Sequence, residues 1–176
     1  MQKDEPETSD FDGVYAQNFG FVWRCLRALG VGEAAIDDAA QDVFLIVHRR
    51  LASFRGDSTL RSWLFGIARN VASRHQRSNK RKGSQHDPLD AGGDIASSGP
   101  SPLERAEDAE AGAFVMRFVA ALPPKRRDVF ILASLEQLSI PEVASALSIP
   151  INTAYTRLRA ARADFHRALA RRGGTP

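Results

Sequence analysis

The chain has 176 residues, with 24 Lys and Arg against 21 Asp and Glu, a formal net charge of +3 and a hydrophobic share of 43%; that length suits one large domain or two small ones. A single cysteine, Cys25, excludes an intramolecular disulfide and a cysteine metal cluster, and His48, His75, His86 and His166 lack ligand spacing, so neither metal nor cofactor is expected. No apolar run approaches the roughly 20 residues of a membrane span, and the polar, acidic MQKDEPETSD start is not a signal peptide, which points to a cytoplasmic protein without membrane insertion.

Residues 1–10 read as a disordered tail. A first helix is expected from Phe11 to Leu29, with Tyr15, Phe19, Val22, Leu26 and Leu29 inward and Gly30 and Gly32 ending it. Cys25 falls within it and reads as a core thiol. A second helix is expected from Asp37, a good N-cap, to about Phe54. Ile36, Ala40, Val43, Phe44, Val47 and Leu51 give it an apolar face. The turn FRGDST follows, with Asp57 or Ser58 as N-cap of a third helix from Thr59 to about Arg77. Leu60, Trp63, Leu64, Ile67 and Val71 form its inward stripe.

Residues 83–102 are rich in Gly, Ser, Asp and Pro and almost free of large apolar side chains. Such a segment cannot bury enough surface to offset ordering, so it reads as a flexible acidic linker. Beyond it, a helix is expected from Leu103 to Leu122, broken by Pro123-Pro124, and another from Lys125 to Glu136. Ser139 to Leu147 opens with a capping box, Ser139 and Glu142. A Ser148-Ile149-Pro150 turn leads to a last helix running to about Arg171, with Ala154, Leu158, Ala161, Phe165 and Leu169 inward. No strand pattern emerges. The chain reads as all-α: two small helical domains, 11–82 and 103–172, joined by a flexible linker, the second ending in a helix-turn-helix.

The charge is unevenly spread. Ser58–His86 carries seven basic residues and no acid, Gly83–Ala111 seven acids and one base, and Thr153–Pro176 six arginines and one acid. Basic, acidic, basic is the pattern of two polyanion-binding lobes with a solvated tether. On the last helix Thr153, Tyr155, Thr156, Arg159 and Arg162 face outward or flank. Short polar and aromatic residues precede arginines, as a recognition helix needs for base edges and then phosphates. A solvated basic helix end, favoured by the helix dipole, is the alternative for the arginines alone; the capped helix and tight turn before them favour DNA.

On the third helix Asn70, Arg69, Arg74 and Arg77 project from the apolar stripe, with Arg61 near the start. Trp63 fits either the core, by spacing, or a stacked base, by its cationic surroundings. The Phe54–Ser58 turn at the head of this helix offers polar groups to an extruded base. On the second helix Gln41, Leu45 and His48 form a stripe away from the core, rimmed by Asp38, Asp42, Arg49 and Arg50. A helix apolar on more than one face is deeply buried or a docking site. There is no glycine-rich phosphate loop, activated nucleophile or carboxylate pair, so an enzyme is not expected. Asp128 and Asp164 read as surface charges.

DDAAQDVFLIVHRRLASFRGDSTLRSWLFGIARN resembles the second conserved region of bacterial RNA polymerase sigma factors of the extracytoplasmic-function type. ALPPKRRDVFILASLEQLSIPEVASALSIPINTAYTRLRAAR resembles their fourth. Both blocks occur in the family's order and spacing, over about 11–82 and 103–170.

The resemblance implies a transcription initiation factor. Its first lobe would bind the coiled coil of polymerase β′ through Asp38, Gln41, Asp42, Phe44, Leu45 and His48. The −10 element would be melted and held by Phe54, Arg55, Gly56, Asp57, Ser58, Arg61, Trp63, Asn70, Arg74 and Arg77. The second lobe would dock on the β-flap and read the −35 element with Thr153, Tyr155, Thr156, Arg157, Arg159 and Arg162. The family is usually held inactive by an anti-sigma factor, so such a partner is implied beside core polymerase and promoter DNA. In the recognition helix Asn152, Ala154 and Tyr155 stand where many members have glycine, valine and lysine. A stand-alone dimeric helix-turn-helix regulator fits poorly with the second basic lobe, and a nucleic-acid-processing enzyme lacks ligands or a nucleophile.

Overall fold

The computed structural model describes residues 11–81 and 102–173. The expected tail (1–10) and linker (83–102) fall outside these residues, except Pro102, which opens a helix. All regular structure among the described residues is helical.

The first lobe comprises α1 (Phe11–Ala28), α2 (Glu33–Arg50) and α3 (Leu60–Arg81), with a single 3-10 turn, Leu51–Ser53, after α2. α1 buries Val14, Phe21, Val22, Cys25 and Leu26, whose three- and four-residue spacing keeps them on one side. Val22, Leu26 and Leu29 are buried as expected and Phe19 packs half-buried against the core, but Tyr15 is 42% exposed. Gly30, at φ +90°, lets the Val31 N–H return to the Leu26 carbonyl at 3.1 Å and close the helix. A Cβ there would also come within 3.0 Å of Gln76 Nε2, which donates to the Leu29 carbonyl at 2.5 Å.

α2 begins at Glu33, not at Asp37, which is exposed within the helix. Ile36, Ala39 and Ala40 are all buried, on the face that Val43 and Val47 continue. α3 is capped by Thr59 rather than Asp57 or Ser58: the Ser62 N–H donates to Thr59 Oγ1 at 3.3 Å. Leu64, Phe65, Ala68 and Val71 are wholly buried on α3. Fully burying one such large apolar side chain is worth about 1.5–3 kcal/mol relative to exposure. Cys25 lies at 0% exposure, and burial pushes its thiol well above the usual range.

The second lobe comprises α4 (Pro102–Ala121), α5 (Pro124–Phe130), α6 (Ile140–Leu147) and α7 (Ile151–Gly173). The single helix expected over Lys125–Glu136 is instead α5 followed by a π turn, Ile131–Leu135, in which the Glu136 N–H reaches the Ile131 carbonyl at 2.9 Å. Gln137 follows at φ +58°. Phe118, Phe130 and Phe165 interlock with ring centroids 5.0–5.8 Å apart. Ala154 and Ala161, both at 0%, let α7 lie close on that core. Leu169, expected inward, is 45% exposed, on a side of α7 that α4 does not cover. Arg172 lies over Phe114 and pairs with Glu110 at 2.7 Å.

The helix-turn-helix is α6, turn, α7. Its capping box is present, with the Ser139 N–H donating to Glu142 Oε2 at 2.8 Å. The bonds from Ser139 hold the Glu142 carboxyl below its ordinary range. Ser148 closes α6 in the left-handed region, φ +52° and ψ +49°, and the Ile149 N–H bonds the Ala144 carbonyl at 3.0 Å. That conformation costs a non-glycine residue about 1–2 kcal/mol. Ser148→Gly is expected to stabilise the lobe by about 0.5–1 kcal/mol net of glycine's entropy, raising its melting temperature by a few degrees in a thermal scan followed by circular dichroism.

The lobes touch. α3 packs on α6 and α1 meets α4. Ser62, 2% exposed, donates from Oγ to the Glu142 carbonyl at 3.2 Å across that seam.

Candidate polymerase and promoter interfaces

Three surfaces hold the expected residues. On α2, Gln41, Leu45 and His48 are exposed on one stripe, with Leu45 at 50%. Asp38, Arg49 and Arg50 are exposed beside it, and Asp42 meets His75 Nε2 at 3.1 Å. Phe44 departs from this set. It is 3% exposed, packed edge-on against Tyr15 at 4.6 Å, and supports the stripe from behind instead of lining it. Phe11 packs on His48 at 4.9 Å, so the aromatic edge of α1 adjoins the stripe. Helical spacing assigned Tyr15 to the core, and only the packing of α1 on α2 shows its exposure.

On the first lobe's other side, the loop after α2 meets α3. Gly56 turns it at φ +73°, a conformation that suits glycine. Arg55, Gly56 and Asp57 are exposed, Ser58 half-buried. The Phe54 ring lies 5.0 Å from that of Trp63, and both side chains are half-buried. Trp63, Asn70 and Arg77 recur every seven residues on α3, so they share a face, with Arg74 beside them. Asn70, Arg74 and Arg77 are exposed. Half-buried against Phe54, the Trp63 ring belongs wholly neither to the core nor to solvent. Arg61 does not join this face: its guanidinium lies 5.4 Å over the Phe21 ring.

On α7, Tyr155, Thr156, Arg159 and Arg162 are exposed, while Thr153 and Arg157 are half-buried. Tyr155 is 57% exposed and Ile151, four residues earlier, 48%. The apolar reach of Ile151 at the head of the helix was not among the expected contacts. Thr156 donates its hydroxyl to the Asn152 carbonyl at 2.9 Å, which fixes its rotamer and leaves the oxygen able to accept. Tyr155, Arg159, Arg162 and His166 border a groove of about 530 Å³ floored by Leu138, Ile140 and Leu158.

Two acids expected at the surface are tied instead. Asp164 pairs with Arg126 at 2.9 Å and with Arg167. Asp128, its side chain 16% exposed, meets Arg69 of the other lobe at 3.3 Å. Burial raises its carboxyl above the ordinary range, and Arg69, Arg127 and Arg157 only partly offset this. The stronger pair joins Arg24 to Glu136: Nε to Oε1 at 2.9 Å and Nη2 to Oε2 at 2.7 Å. The bond to Glu136 raises the Arg24 guanidinium further. No group of three or more metal-ligating side chains, and no helix long and apolar enough to cross a membrane, occurs among the described residues.

The chain thus combines a helix-turn-helix with a separate helix that bears a cationic, aromatic-edged face. Residues 14–82 match the family model for sigma-70 region 2, and residues 115–165 match that for sigma-70, region 4. The ECF RNA polymerase sigma-E factor of Escherichia coli K12 is 33% identical over 135 residues, covering 72% of this chain and 70% of that protein. The RNA polymerase sigma-H factor of Pseudomonas aeruginosa PAO1 is 34% identical over 139 residues, 75% of this chain and 72% of that protein. The fold is shared with the sigma factor RpoE of Bartonella quintana, solved in complex with the anti-sigma factor NepR: TM-score 0.71, 20% identity, 92% of this chain and 97% of that one. CnrH, solved with the cytosolic domain of CnrY, gives 0.66 at 24% identity over 91% of this chain and 87% of its own.

The chain belongs to the sigma-70 family of RNA polymerase sigma factors, and within it to the extracytoplasmic-function (ECF) type. It is a transcription initiation factor that binds core RNA polymerase and directs it to promoters; a stand-alone regulator is not favoured.

Proposed function

We propose that the three surfaces divide promoter recognition as follows. The α2 stripe of Gln41, Leu45 and His48, rimmed by Asp38 and Asp42, docks on the coiled coil of polymerase β′. The Phe54–Ser58 turn, Trp63 and Asn70 receive an unpaired base of the melted −10 element, with Arg74 and Arg77 on its phosphates. The head of α7 enters the −35 major groove: Tyr155 and Thr156 at base edges, Arg157, Arg159 and Arg162 on bases or phosphates, Thr153 at the helix start. The second lobe also docks on the β-flap.

The observation that carries this reading is the Phe54 ring against Trp63, beside exposed Asn70, Arg74 and Arg77. Half-buried rings flanked by exposed cations suit a base stacked with its backbone neutralised. In this reading the protein acts by binding alone, without bond chemistry of its own, in the cytoplasm. An anti-sigma factor restrains it, as expected for a fold that the NepR-bound RpoE shares.

The test is in vitro transcription from a library of random promoters, with core polymerase alone and with this protein added. Transcripts should appear only with the protein and share a two-part motif upstream of their starts. Retention of free duplex without polymerase, and no transcripts, would instead indicate a stand-alone regulator. Arg159→Ala should weaken promoter engagement by about 1–3 kcal/mol and relax selectivity at one −35 position if it reads a base. A smaller, sequence-independent loss would place Arg159 on phosphate.

A further inference from the structure

Five large apolar side chains are exposed among the described residues. Two of them, Ile151 and Tyr155, sit one turn apart at the head of α7, 48% and 57% exposed. Single exposed apolar side chains are ordinary on a folded surface, so exposure alone means little. Position sets this pair apart. The second helix of a helix-turn-helix meets base edges with its N-terminal residues, and these two hold the first and fifth places of that helix. Asn152, Thr156 and Arg159 around them are all exposed. A protein partner would call for a broader apolar patch than two side chains set among polar and cationic ones.

The pair is held ready for contact. The Thr153 and Ala154 N–H groups donate to the Pro150 carbonyl at 2.9 and 3.1 Å, so α7 starts firmly at Ile151. β-Branched side chains are stiff at χ1, so Ile151 has little rotamer freedom to lose on docking. Tyr155 has only two side-chain torsions, and it borders the groove floored by Leu138, Ile140 and Leu158. Residues four apart are neighbours on a helix surface, so Ile151 and Tyr155 present one apolar strip. In the major groove a base pair offers mainly polar donors and acceptors, and its apolar feature is the C5-methyl of thymine. Against any other base edge, Ile151 would take water from polar atoms without replacing their hydrogen bonds.

We infer that Ile151 and Tyr155 read thymine: each packs on the C5-methyl of a thymine in the −35 element, so the chain selects promoters with thymines facing the head of α7. The inference deepens the −35 role proposed for α7 and rests on it.

Deoxyuridine pairs as thymine does but lacks the methyl, so it isolates this contact. The experiment takes holoenzyme, core polymerase with the full chain, and a promoter enriched from the random library. A second copy of that promoter carries deoxyuridine at every thymine of the −35 element. Competition binding gives the ratio of the two affinities. The thymine promoter should bind about fourfold more tightly for each methyl covered, the effect of burying one CH₂ group. Ile151→Ala and Tyr155→Ala should each lower that ratio, and the double variant should bring the two promoters level. Both side chains are exposed, so helical circular dichroism should not change. Equal affinity for the two promoters with the unmodified chain, a −35 element enriched without thymine on either strand, or a ratio undiminished in the double variant would each overturn thymine reading while leaving the −35 role of α7 standing. Scrambling the −35 element separates the two: if promoter affinity is then unchanged, α7 does not read this element and both readings fall.

Discussion

Leu45→Asp is expected to abolish binding to core RNA polymerase while the first lobe stays folded. Leu45 is 50% exposed on α2, between Gln41 and His48, and the residue behind it, Phe44, is 3% exposed and carries the core contact. Removing the leucine forfeits about 1.5–3 kcal/mol of apolar burial at a docked surface. Placing a carboxylate in that contact adds a desolvation penalty with no partner to offset it. Together these weaken binding by several orders of magnitude. Co-elution with core polymerase in size-exclusion chromatography measures the loss, and far-ultraviolet circular dichroism the fold. Phe44→Asp gives the contrast: it should lose helicity as well, because it puts a charge inside the Phe11–Tyr15–Phe19–Phe44 cluster. Loss of helicity in Leu45→Asp itself would mean that Leu45 holds the lobe together.

The second large effect belongs to Leu158→Ala. Leu158 is 6% exposed beneath the recognition helix, between Ala154 and Ala161, which are too small to close over a gap. Such a truncation costs about 2–5 kcal/mol, the lost transfer energy plus an unfilled cavity. A lobe of this size has only a few kcal/mol in hand, so α7 should lose its fixed seat near physiological temperature. The expected result is a lower melting transition for the second lobe alone. Transcription that depends on the −35 element should fail at 37 °C and recover in part at 20 °C. Equal loss at both temperatures with an unshifted melt would mean that Leu158 touches DNA or polymerase directly.

What was legible in the sequence follows from the range of each interaction. α3, α6 and α7 were readable because their signals are local: Leu64, Ile67 and Val71 at helical spacing, Ser139 with Glu142 as a capping box, and an Ala–Leu–Ala stripe under arginines. The face of α3 bearing Asn70, Arg74 and Arg77 was readable for the same reason. Element starts were less so. Asp37 has the right chemistry to cap α2, but the burial of Ile36, Ala39 and Ala40 outweighs that preference and starts the helix at Glu33. The contacts between the lobes left no local trace. Arg24 meets Glu136 across 112 positions, and Arg69 meets Asp128 across 59. Nothing in the periodicity around Asp128 distinguishes a buried partner from a solvated charge. The π turn was hidden likewise, since it depends on where Glu136 and Leu138 must point and not on the composition of ILASL.

Cys25 has a practical consequence. The chain has one thiol, at 0% exposure, and burial holds it in the unreactive protonated form. Alkylating reagents can reach it only when the packing around it opens, within the first lobe or at the nearby seam where Glu136 lies, so its modification rate reports how often that packing parts. The same sealing makes the natural chain a silent background for spin or fluorescent labels at any added surface cysteine. In a cell under oxidative stress, the folded lobe should escape sulfenic acid formation, and only unfolded chains would carry the lesion.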